Sequence, residues 1–144
     1  MAFTGNYTCN SFKQQLFEGD FDFSSGTTQT FKIALYTNDA TLDQTTTVYS
    51  VSTTGQVVAT GYTAGGAAIT PTLSLDTANG ISYLNFSNAS WTAAITARGA
   101  LIYKVGGGNP AICVLDFGSD KTSTTTFQVE FPPNTSTTAL IRLA

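Results

Sequence analysis

Nine carboxylates and two thiols, with no imidazole at all, are the side chains best suited to chemistry in this chain. Without histidine, neither a Ser-His-Asp triad nor a Cys-His pair can be assembled within one chain, and His-ligated zinc and haem are excluded as well. Cys9 and Cys113 stand far apart in sequence and cannot make a metal site alone; with no export signal in view, two free thiols are expected. Asp20 with Asp22, and Asp39 with Asp43, are pairs that could bind calcium or act as acid and base. Neither pair has a third acid nearby or sits in a recognisable ligand loop. They read as solvated loop acids, which leaves open only a calcium site gathered from distant loops, and no metal or cofactor is expected. Gly106-Gly107-Gly108 follows a strand pattern as a phosphate-cradling loop would, yet Asn109-Pro110 and another strand come next, not a helix; it reads as a hairpin turn. Asp116-Phe117-Gly118 copies three letters of the kinase metal motif with nothing else of a kinase around it. Trp91 with Tyr62, Tyr83 and Tyr103 could form a stacking platform for a sugar or base, or could be core and core-edge residues.

Charge narrows the partners further. The net charge is −3 with six Lys and Arg, scattered as Lys13, Lys32, Arg98, Lys104, Lys121 and Arg142. That leaves neither a basic patch for nucleic acid nor a polybasic membrane anchor. No apolar run approaches the roughly 18 residues of a membrane helix, and the opening residues carry neither the positive nor the apolar region of a secretory signal. Four N-x-S/T sequons, at Asn6, Asn85, Asn88 and Asn134, are what so Ser/Thr-rich a sequence gives by chance. Charged residues make up 10% of the chain, against a usual value of about 25%. So weakly charged a surface is a hazard for a free monomer, and it hints at a protein that lives assembled.

The elements that position these residues are strands. Of 144 residues, 51 are Thr, Ser or Gly and 12% are aromatic, a mixture that suits pleated, half-buried surfaces and argues against disorder. One short helix is expected from Ser11 to about Glu18, with Ser11 and Gln14 as a capping box and Gly19 as the stop. Strands are predicted at Thr30–Thr37, Gln56–Thr60, Ala67–Leu75 (at an edge or broken by Pro71), Ile81–Phe86, Arg98–Val105, Ala111–Phe117, Thr125–Phe131 and Ala139–Ala144. Asn79-Gly80 is a hairpin signal, Gly118 to Lys121 a turn, and Ala89–Ile95 a connection whose Trp91 packs down on the core. Arg98–Val105 is apolar on both faces and is therefore placed centrally. The expected fold is an all-β, antiparallel β-sandwich or jelly-roll-like barrel with one short N-terminal helix, a single domain over residues 1–144.

Residues 1–23 form an N-terminal arm and short helix in this reading. Phe3, Tyr7, Phe12, Phe17, Phe21 and Phe23 are more aromatics than a short helix needs. Either they make a local satellite cluster, or the arm lies on a neighbouring subunit, in which case Phe3, Tyr7, Phe12 and Phe17 are the partner-contact residues. On the second reading, removing residues 1–23 leaves the β domain folded.

The run Asn10-Ser11-Phe12-Lys13-Gln14-Gln15-Leu16-Phe17-Glu18-Gly19 followed by Thr30-Phe31-Lys32-Ile33-Ala34-Leu35-Tyr36-Thr37 resembles small virion structural proteins of tailed bacteriophages, common in phages of aquatic bacteria and cyanobacteria. Gly61 to Gly66 is similar to their central turn, and Arg98 to Tyr103 with Cys113 to Gly118 to their core hairpin. Thr126 to Phe131 and Ala139 to Leu143 match their ending. The resemblance implies a non-enzymatic structural protein, made in the host cytoplasm and located in the virion. A capsid decoration (cement) protein is foremost, bound to the major capsid protein and to copies of itself, with a trimer expected by analogy. A tail- or fibre-associated module that binds host glycan through Trp91 and the tyrosines is the alternative.

Overall fold

In the computed structural model, which describes residues 3–144, the chain runs as β1 (Tyr7–Thr8), α1 (Asn10–Glu18), β2 (Phe31–Tyr36), β3 (Ala67–Ile69), β4 (Pro71–Asp76) and β5 (Ile81–Phe86), then β6 (Ala89–Trp91), β7 (Thr96–Lys104), β8 (Ala111–Thr122), β9 (Phe127–Val129) and β10 (Ile141–Leu143). Every pairing is antiparallel. The main sheet has the order β1-β8-β7-β2-β3, a second has the order β10-β5-β4, and β6 pairs with β9. The chain is all-β with one short helix, and its sheets do not close into a barrel.

β7 is central, as its apolar character on both faces requires, with β8 on one side and β2 on the other. Register places Phe31, Ile33 and Leu35 on one face of the main sheet with Ala100 and Ile102. That face meets an aromatic cluster: the rings of Phe23 and Phe31 lie 5.0 Å apart, and those of Phe12 and Phe21 meet edge to face at 4.9 Å. The opposite face carries Ala34, Tyr36, Leu101 and Tyr103. Tyr49 stacks on Tyr103 there, with ring centres 4.3 Å apart. Phe3 lies over Gly99, where a methyl group would run into the Phe3 ring and the Leu115 carbonyl oxygen. Glycine at position 99 is what lets the N-terminal ring reach the sheet.

Several elements differ from the sequence-based expectation, each for an identifiable reason. The helix begins one residue earlier, at Asn10, with no side-chain cap. Tertiary contacts take the place of the capping box. Cys9 N–H bonds the Ile112 carbonyl and Asn10 N–H the Gln44 carbonyl, while the Ser11 hydroxyl is buried without a protein partner. Gly19 does stop the helix, at φ 83°, with its own N–H on Leu16 O and that of Asp20 on Gln15 O. The run Ala67–Leu75 divides at Thr70, and its halves join different sheets. Proline, which cannot donate to a ladder, takes the first position of β4. Gln56 contributes only an isolated bridge to Tyr36. Residues 118–121 do not turn the chain. They lie within β8, where Gly99 pairs with Asp116 and Ala97 with Lys121, so the strand bulges and resumes its pairing.

The N-terminal arm is part of the domain. β1 pairs with β8, and Phe3, Cys9, Phe12, Phe21 and Phe23 belong to the hydrophobic cluster that runs through the whole molecule. These residues form neither a separate satellite cluster nor a free arm but part of the main core, and a chain lacking residues 1–23 would lose that part. Positions 1 and 2 of the expected arm lie outside the described residues.

Candidate functional site

The residues most capable of chemistry are either isolated or neutralised. Asp22 accepts the Ser24 N–H, and Asp43 accepts both the N–H and the hydroxyl of Thr45; these local bonds hold both carboxyls below their usual pKa. They are turn-stabilising acids. Among the described residues no group of three or more His, Cys, Asp or Glu is gathered as a metal site would need. Asp116, of the Asp-Phe-Gly triplet, pairs with Arg98 at 3.0 Å and also accepts the Gly118 N–H. Desolvation works against its charge, but the Arg98 hydrogen bond, the Gly118 N–H and the guanidinium charge together hold its pKa low. Cys9 and Cys113 are free and buried. Burial, with Asp43 adding and Lys13 opposing, pushes the Cys9 thiol up to about 12; burial and Cys9 raise Cys113 as well. Neither is an activated nucleophile.

Three of the four platform aromatics are interior. Trp91, Tyr62 and Tyr103 are buried, and Tyr83 is half-buried. Trp91 contacts Tyr62 and Phe127, with ring centres 5.9 and 6.3 Å away. The tyrosine hydroxyls serve a hydrogen-bond network. The Gln56 side-chain oxygen accepts from Tyr49, Tyr62 and the Gly65 N–H. Tyr62 in turn accepts the Leu35 N–H, and Tyr103 donates to the Gly65 carbonyl. These bonds lock the 49–66 segment onto β2 and β7, so Tyr62 and Tyr103, like the buried Trp91, serve the interior, whereas half-buried Tyr83 takes no part in the network and borders a surface hollow.

What the surface does offer is an apolar slot between α1 and the free edge of β10. It has a volume of about 440 Å³; Phe12, Leu16, Phe17, Ile141 and Leu143 line it, with Lys13 and Arg142 at its margin. A second hollow of about 330 Å³ shares Phe12, Leu16, Ile141 and Leu143 and extends toward Phe21, Phe23 and Leu73. The register of the three-stranded sheet explains this surface. Leu73 is opposite Leu84, which is opposite Ile141; Leu75 is opposite Ser82, which is opposite Leu143. All six share one face. Leu84 is buried, whereas Leu73, Leu75 and Leu143 are 51%, 64% and 56% exposed.

Of the four expected contact residues, Phe3 and Phe12 are 1% and 2% exposed and belong to the core. Tyr7 is half-buried in β1, where its hydroxyl bonds Thr4. Only Phe17, 95% exposed at the rim of the slot, is presented to solvent. Leu73, Leu75, Ile141 and Leu143 were not singled out by sequence. The signal was the alternation Thr72-Leu73-Ser74-Leu75-Asp76 behind a proline, which is an apolar stripe on an edge strand. No helix is long and apolar enough to cross a membrane among the described residues. Comparison with protein-family models, with curated proteins and with solved structures finds no match.

Proposed function

We propose that this chain is a non-enzymatic structural protein of a tailed-phage virion, acting as a head decoration (cement) protein. The observation that carries the reading is the pairing of a chemically quiet interior with an adhesive exterior. The thiols, Trp91, Tyr62 and Tyr103 are buried, Asp22 and Asp43 are tied in turns and Asp116 is paired with arginine, while Leu73, Leu75 and Leu143 are held out to solvent at the edges of one sheet, with Phe17 exposed on α1 beside it. Exposed apolar side chains grouped in this way are a mark of interaction surfaces. The resemblance to small virion proteins across nearly the whole sequence supplies the setting. A cement protein works by burying such surface against its neighbours, at roughly 25 cal/mol per Å² of apolar area, with many modest contacts multiplied by the symmetry of the shell. The test is antibody labelling of this chain on intact phage particles viewed by electron microscopy. Label over the head surface is the expected result; label confined to tails or fibres, or purified virions without the chain, overturns it.

A further inference from the structure

The three-stranded sheet β10-β5-β4 has two unpaired edges, and they differ in character. On the β4 edge, Leu73 and Leu75 stand exposed on one face, and Asp76 is the strand's only charge, on the other face. The β10 edge borders the slot against α1. Leu143 lies on the same face as the two leucines, and Arg142 on the same face as Asp76. Lys13 and Arg142 are the slot's cations and no carboxylate lines it. The Arg142 guanidinium bonds the Ser136 carbonyl, and the ion pair among the described residues is Arg98–Asp116 alone, so both slot cations lack a counter-charge.

We infer that the slot receives the β4 edge of a second copy of this chain, in a head-to-tail contact that continues the sheet from one copy into the next. The fit is set by register and charge. Setting β4 of the second copy beside β10 places its Leu73 and Leu75 on the face of Leu143 and its Asp76 on the face of Arg142, near Lys13. The two like-with-like alternatives do worse. Pairing β10 with itself about its middle residue sets Arg142 against Arg142, and like charges directly opposite are destabilising. Pairing β4 with itself leaves the slot and both its cations uncovered. A head-to-tail contact leaves each copy with one edge still free, so it repeats until the set closes on itself. The contact needs no capsid, so it stands or falls separately from the virion reading.

Complementary blocking of the two edges in the full chain tests it. One variant carries Leu73→Lys and Leu75→Lys, the other Phe17→Lys and Leu143→Lys. All four positions are more than half exposed, so the circular dichroism of each variant should match that of the parent chain. In sedimentation velocity the parent is expected as a closed set of three or more copies of the 15.1 kDa chain. Each variant alone is expected as a monomer, and an equal mixture of the two as a heterodimer through the remaining intact pair of edges. A monomeric parent overturns the inference. So does assembly that only one variant abolishes, which would mean a like-with-like contact, or assembly that survives in both, which would place the contact elsewhere. As a second arm, Lys13→Glu with Arg142→Glu, which leaves the Asn79 turn bonds of Asp76 intact, should dissociate the set; an undiminished set overturns the charge pairing.

Discussion

Replacing Phe3 with alanine tests the claim that the N-terminal segment is core. Phe3 is 1% exposed and sits over Gly99 of the central strand, although it is only three residues into the chain. A ring at a loosely attached terminus would contribute almost nothing. A buried phenylalanine cut back to alanine loses its transfer free energy and leaves a cavity, together about 3–5 kcal/mol. For a domain of this length each kcal/mol moves Tm by roughly 2–4 °C, so Phe3→Ala should melt roughly 6–20 °C below the parent. Phe17→Ala, at a 95% exposed position, should stay within about 0.5 kcal/mol of it. Trp91, the only tryptophan and a buried one, reports both transitions by fluorescence. Gly99→Ala supplies the partner measurement. Its methyl collides with the Phe3 ring and with the Leu115 carbonyl, so the substitution destabilises. Part of that cost should vanish in the Phe3→Ala background, because the ring is then gone while the carbonyl remains. The double-mutant cycle should therefore give a coupling of about 0.5–3 kcal/mol. A Phe3→Ala chain that melts within about 2 °C of the parent, or additive Phe3 and Gly99 effects, would refute the docking of the segment on β7.

Three further outcomes follow from the titrating groups. Burial first, with Tyr49 adding and the Leu35 N–H opposing, pushes Tyr62 up to about 12, and burial raises Tyr36 and Tyr103 as well. Unfolded phenols ionise near pH 10, so the stability linked to these groups is complete below that and is lost as pH rises through the folded values. Urea unfolding repeated from neutral pH to about 12 should show a falling midpoint above about pH 10; a flat profile there would remove the tyrosine interior. In acid the sign reverses. The Asp116 pKa is held low, so its contribution is present above the unfolded value of about 4 and is lost as pH falls through the folded one. Asp116→Asn should flatten the acid limb of the same profile, and an unchanged limb would show that the Arg98 pair contributes nothing. Both thiols should resist an aromatic disulfide reagent in the native chain and titrate as two per chain once unfolded; fast native reaction at either would contradict its burial.

The strands legible in the sequence were those whose partners do not matter to the pattern. Thr30–Thr37 and Arg98–Val105 are apolar enough to be buried on both faces in any arrangement, and Pro71 marks a break whichever sheets the halves join. The errors fall where a distant segment decides. Nothing local to Cys9-Asn10-Ser11 says that the carbonyls of Ile112 and Gln44 will take its N–H groups, so a capping box was expected where none forms. The Gly118–Lys121 stretch has turn composition, and only pairing with Thr96 and Ala97 keeps it in a strand. Phe3, Phe12 and Phe17 look alike in sequence, because burial depends on what lies opposite: Gly99 for one, Phe21 for the second, solvent for the third. The slot was hidden for the same reason, since Leu16 and Ile141 come from well-separated places and meet only in the fold.

The scarcity of charge bears directly on how such edges choose partners. Soluble β proteins guard their free strand edges with lysine, proline or inward-pointing charge. Here β4 has a proline only at its first residue and β10 has none, and each carries one charge, of opposite sign. On a densely charged surface one aspartate meeting one arginine would decide little, because an exposed ion pair is worth about 0–1 kcal/mol and competes with its neighbours. On a chain with six cations and nine acids in all, few competing pairs exist. The apolar leucines then supply the attraction while Asp76, Lys13 and Arg142 select which edge meets which, the usual division between affinity and specificity at an interface. The same economy explains how the surface can be rich in threonine and serine without being indiscriminate: hydroxyls satisfied within their own turns, as at Thr45 and Thr138, leave the sheet edges as the places where unspent backbone bonding and apolar area coincide.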